Sequence, residues 1–138
     1  MRENSMPMMD FHSIRVAFAL CAVGCVLHAV TALGMAAGGL SFKLVVFFLY
    51  SCCPYAVAAG LIALNLRFFK PPPVFAIGFA VGSLFGDLYM IYHVFIVPKH
   101  SSAALGLLVM PFWNLAFIGP AAGALVSIMY RLLGPRHA

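Results

Sequence analysis

Residues 82–93 read GSLFGDLYMIYH, and their Asp87 is the only acidic residue after position 10. A carboxylate in an apolar run can pair with a cation, accept hydrogen bonds or hold a proton. At the centre of a membrane helix an Asp costs about 2.5–3.5 kcal/mol on insertion scales, so such a position is a functional candidate by default. Three further polar side chains, His28, Tyr55 and Asn114, lie in the middle of other long apolar stretches. His28 is the natural partner of Asp87, because an imidazole and a carboxylate together hold or release one proton. Asn114 and Tyr55 are expected as hydrogen-bonding neighbours. Ser83, one helical turn before Asp87 on the same face, is placed to donate to the carboxylate.

Depth supports this grouping. Asp87 lies roughly 20 Å along a helix axis beyond the prolines at 71–73, and His28 is nearly as far beyond Arg15. Both distances reach the middle of a bilayer. The second apolar stretch is centred near Pro54 and Tyr55, and the fourth near Trp113 and Asn114. Lipid offers such groups no partner, so they are expected to converge on one interior layer. The competing reading is that they serve only as interhelical hydrogen bonds, which average well under 2 kcal/mol and require no function.

The elements that must position these residues follow from composition. The chain has 138 residues, 64% hydrophobic and 8% charged, with a mean hydropathy of +1.07. A soluble domain of this length cannot hide so much apolar surface, and charged residues ordinarily make up about a quarter of the chain. Residues 16–42, 44–66 and 100–130 contain no Asp, Glu, Lys or Arg, and 71–98 contains only Asp87. Each stretch exceeds the roughly 20 residues that a helix needs to cross a bilayer. The expected fold is an all-α membrane protein, a single domain over 1–138 with spans near 14–37, 42–66, 73–97 and 103–132. Short connections predict an up-down antiparallel bundle. The first apolar run is too long for a signal peptide, and Glu3 and Asp10 spoil a basic leader, so the first span is expected to stay.

Punctuation predicts the helix ends. Asp10 or Ser13 is the expected cap of the first helix, Ser41 of the second, and Ser101 or Ser102 of the fourth. The glycines at 38–39, the run KPPP at 70–73, Pro98, and Gly134 with Pro135 are the expected stops. Basic residues set the orientation. Arg2, Arg15, Arg67, Lys70, Arg131 and Arg136 fall at one end of the spans, and Lys43 and Lys99 at the other. That bias puts both termini in the cytoplasm, with the bacterial cytoplasmic (inner) membrane as the expected location. The net charge of +5 is spread singly over span ends, without aromatic interleaving, which argues against nucleic-acid binding.

Two patterns bear on packing and backbone. Gly78, Gly82 and Gly86 recur every four residues, forming a smooth stripe that lets another helix approach closely, inside the chain or from another subunit. Gly34 with Gly38, Ala56 with Gly60, and Gly119 with Gly123 repeat the spacing more weakly. Pro54, Pro111 and Pro120 deprive the carbonyls of Tyr50, Leu107 and Ala116 of their helical partners, and kinks of this kind often accompany ligand or ion sites.

Other chemistries are weaker. A haem would need two axial histidines at one height, and His28 and His93 differ by roughly 9 Å in depth. Tyr89, Tyr92 and His93 read as interfacial rings. Cys52 and Cys53, together with Cys21 and Cys25 at helical spacing, could bind a soft metal as thiolates, although cysteine is also an ordinary small apolar residue in membranes. No nucleotide fingerprint, second buried carboxylate or nucleophile–base pair is present, so neither enzymatic activity nor a cofactor is expected. The functional expectation is a small permease or ion-coupled transport-type binding protein, with a small molecule or ion at Asp87 and His28. The alternative is a non-catalytic accessory subunit docking through the glycine stripe. Either reading expects a homo-oligomer or a larger membrane complex in the lipid bilayer.

Overall fold

The computed structural model describes residues 9–36, 39, 41–68, 74–97 and 103–133, and every regular element among them is helical. Helix α1 spans Met9–Met35, α2 Phe42–Phe68 and α3 Val74–Phe95. Helix α4 (Ala103–Trp113), a π-helical turn (Asn114–Ile118) and α5 (Gly119–Leu133) then follow without a break. Four stretches, His12–Met35, Phe42–Leu64, Val74–Phe95 and Leu105–Leu133, are long and apolar enough to cross a membrane. Their boundaries lie within a few residues of those expected from the charge-free runs.

The helix ends differ in detail. Asp10 and Ser13 do not cap α1, which already includes them; no glycine or proline interrupts the chain between Met9 and Ser13. After Met35 the Ala36 N–H donates to the Leu33 carbonyl at 3.1 Å and the Gly39 N–H to the Ala36 carbonyl at 2.8 Å. Gly39 takes a φ of 103°, a conformation that favours glycine. Ser41 precedes α2, and its carbonyl accepts the N–H groups of Leu44 and Val45 at 3.0 and 3.3 Å. The expected stops and caps at Gly38, Lys70–Pro73, Pro98, Ser101, Ser102, Gly134 and Pro135 lie outside the described residues.

The prolines act unequally. Helix α2 passes Pro54, and α4 passes Pro111, as continuous α-helix. Pro120 follows the π turn. It has no N–H to offer the Ala116 carbonyl, and the turn before it widens so that the Gly119 N–H donates to the Asn114 carbonyl. Glycine is required there, since a Cβ at 119 would fall 2.6 Å from the Asn114 carbonyl oxygen and 2.7 Å from the Phe79 ring.

Helix α3 packs against every other element, and most extensively against α5. The glycine stripe explains how. A Cβ on Gly78 would lie 2.8 Å from the Ala122 carbonyl oxygen and 2.9 Å from the Gly123 Cα, and one on Gly82 would meet the Ala122 side chain. Gly123 reciprocates against Phe75. The partner of the stripe is therefore internal. By contrast Gly34 and Gly60 face open space. On the other side of α3, a core of Ala17, Cys21, Tyr55, Ala58, Ile62, Ala76, Phe79 and Ala80 joins α1, α2 and α3. Four of these are alanines, as expected where lipid removes the hydrophobic drive and close backbone contact must hold helices together.

These contacts set a contrast. Gly78→Ala should cost about 1–3 kcal/mol, because backbone atoms of α5 cannot yield to the added methyl. Gly60→Ala, into open space, should be neutral or slightly stabilising through helix propensity. Unfolding of both variants in detergent, followed by circular dichroism, measures the difference.

Candidate functional site

The four mid-span polar side chains meet. Asp87 faces inward from α3 and is 2% exposed, while Asn114 and Ser83 are fully buried and His28 and Tyr55 are buried. His28 Nε2 lies 2.9 Å from Asp87 Oδ2, and the Tyr55 hydroxyl donates to the same oxygen at 2.6 Å. The Asn114 amide Nδ2 donates to Asp87 Oδ1 at 2.7 Å and to the Ser83 backbone carbonyl at 3.2 Å. Each span contributes one member: α1 His28, α2 Tyr55, α3 Asp87, and the π turn Asn114. Both oxygens of the carboxylate are engaged by protein groups, which is what hydrocarbon burial demands of it.

Ser83 behaves differently from expectation. Its hydroxyl does not donate to Asp87 and has no partner among the described residues; its carbonyl serves instead, as an acceptor for Asn114. The Asn114 amide already occupies Asp87 Oδ1 and crosses to that carbonyl. The two acceptors also fix the amide orientation, since only its nitrogen can donate to both.

Two glycines seat the cluster. A Cβ on Gly86 would lie 2.6 Å from Asn114 Oδ1 and would overlap the end of Met110, so the last glycine of the stripe makes room for the Asn114 side chain. Gly24 of α1 lies beneath the Tyr55 ring, where a Cβ would overlap the ring carbons. Sequence reasoning missed Gly24 because it belongs to no glycine spacing. Its only signal is its place one turn before His28 on the same helix face. The His28 and Tyr55 rings are tilted against each other with centroids 5.8 Å apart.

The remaining candidates lie apart from this layer or form no ligand set. Cys52 is half-buried with its thiol beside that of Cys25 on α1. Cys53 is exposed, and its thiol donates to the Leu49 carbonyl at 3.6 Å. The vicinal pair therefore diverges, and among the described residues no group of three or more His, Cys, Asp or Glu side chains could hold a metal. His93 is exposed and packs on Tyr89 and Tyr92, with ring centroids 4.4 and 5.6 Å away, so it does not face His28. Two open apolar grooves, of about 230 and 270 Å3, are lined by residues other than these four.

Three substitutions probe the arrangement. Ser83→Ala removes an unpartnered hydroxyl and should leave stability unchanged or slightly raised. Asn114→Leu strips one carboxylate oxygen of its donor and should cost about 1–2 kcal/mol. Gly24→Ala should cost about 1–3 kcal/mol in the native background and little once Tyr55→Ala has removed the ring. Unfolding of the single and double variants in detergent supplies all three values.

No protein-family model, curated protein or solved structure matches this chain, and its functional reading rests on this geometry.

Proposed function

We propose that this small integral membrane protein is a transport-type protein whose mid-membrane cluster binds one proton. The observation that carries the reading is the contact of 2.9 Å between His28 Nε2 and Asp87 Oδ2, buried and shared with Tyr55. Counting protons gives its chemistry. When the pair carries the extra proton, an imidazolium faces a carboxylate, or a neutral acid faces a neutral imidazole, and the site has no net charge. When that proton leaves, the carboxylate stays negative and accepts from the imidazole N–H, the Tyr55 hydroxyl and the Asn114 amide. The three donors reduce the cost of the charged state. One elementary charge thus appears or disappears in the middle of the bilayer.

The same geometry argues for a proton over a larger occupant. A metal cation would need several strong ligands, and among the described residues no group of three or more His, Cys, Asp or Glu side chains could hold one. The role is one of binding and not of catalysis, since the cluster offers one carboxylate and no nucleophile poised beside a base. The helices are read as an up-down bundle with both termini in the cytoplasm, on the six-to-two distribution of basic residues. A homo-oligomer belongs to this reading, because four short helices with a filled interior leave little room for a pathway. In the accessory-subunit alternative the partner would dock through a face other than the glycine stripe, because Gly78 and Gly82 are covered by residues of the same chain.

The test uses the proton as its own probe. Reconstituted into vesicles containing a pH dye, the native protein should give a proton flux under an imposed pH gradient, and Asp87→Asn should abolish it. Infrared spectra across a pH titration should show a carboxylic-acid carbonyl band, or imidazolium and carboxylate bands, that the variant lacks. Equal flux and identical spectra for the two proteins would overturn the reading.

A further inference from the structure

Two apolar grooves flank the first turns of α2, at the end of the bundle where α1 finishes and α4 begins. One, of about 230 Å3, runs between α1 and α2 and is walled by Ala32, Leu33, Leu44 and Phe48. The other, of about 270 Å3, is bounded by Met35, Lys43, Leu44, Phe47 and Leu107. Leu44 lines both. Lys43, exposed in the first turn of α2, is the only charged side chain lining either among the described residues, and that turn holds no acidic residue.

We propose that these grooves form a binding site for an anionic phospholipid, whose two acyl chains straddle the start of α2 while its phosphate meets Lys43. The walls decide the first part. They are aliphatic and aromatic, and grooves of this kind in a membrane span are filled by hydrocarbon. Two adjoining grooves on either side of one side chain match the two chains of a diacyl lipid. The second part follows from charge. A chain leaving the bilayer for an apolar groove gains no hydrophobic free energy, so discrimination between lipids falls to the headgroup. One lysine near the membrane surface favours an anionic headgroup over a zwitterionic one by about fivefold. Lys43 has the reach for this, with its methylenes along the groove and its ammonium at the polar boundary. The site is separate from the Asp87 cluster and does not depend on how that cluster functions.

Native mass spectrometry of the whole protein in detergent, with phosphatidylglycerol or phosphatidylcholine of identical chains, tests the proposal. The native chain should retain phosphatidylglycerol about fivefold more. Lys43→Gln, at an exposed position that leaves the fold intact, should equalise the two lipids. Leu44→Trp, which puts a bulkier side chain into the wall the two grooves share, should lower retention of both. Equal retention by the native chain, or a preference that survives Lys43→Gln, would remove the headgroup site. Undiminished retention by Leu44→Trp would remove the grooves as its seat.

Discussion

Hydrocarbon offers a carboxylate no hydrogen bond, and Asp87 must take every donor from the protein around it. It does so from three other spans: His28 on α1, Tyr55 on α2 and Asn114 in the π turn. Each donor then constrains its own helix. Tyr55 can reach across only because Gly24 leaves room for its ring, and Asn114 only because Gly86 leaves room for its amide. One buried charge site thereby couples the rotation and height of four helices. In a medium that supplies no hydrophobic force between helices, such polar contacts and close packing share the work of assembly.

The acid sits on the helix best able to hold it. Helix α3 touches every other element, so donors can approach its inward face from several directions. That centrality depends on small residues. Gly78 and Gly82 bring the backbone of α5 against α3, and Ala76 and Ala80 face α1 and α2. The stripe and the carboxylate are one design along a single helix: close approach over its first half, then a polar layer within reach of the helices gathered there. This is also why the stripe is not available as a docking face.

A carboxylate whose two oxygens are both held by protein groups suits a small occupant that changes protonation without rearranging ligands. The proton meets that requirement, since adding or removing one changes the charge of the His28–Asp87 pair and leaves the heavy atoms in hydrogen-bonding distance. Lys43 and the grooves beside Leu44 concern the other interface of the molecule, where protein meets lipid. There the protein has apolar walls and one cation, the inverse of its interior layer.

The sequence by itself determined the number of spans, their approximate limits and the depth of each polar residue. These are one-dimensional quantities, set by run length against bilayer thickness and by a fixed rise per residue. His28, Tyr55, Asp87 and Asn114 could be placed at one height by counting. What counting cannot supply is azimuth and neighbour, and those the tertiary structure decided. Ser83 lends its carbonyl to Asn114, and its hydroxyl makes no hydrogen bond to Asp87. The π turn that widens the backbone around Asn114 forms before Pro120, while Pro54 and Pro111 leave their helices regular. Gly24, silent in any spacing, matters because Tyr55 comes from another helix to lie on it. Cys52 and Cys53, adjacent in the chain, face different surroundings, because successive residues on a helix point about 100° apart. Depth is a property of one helix in a membrane, whereas contact belongs to pairs of helices and exists only once they have packed.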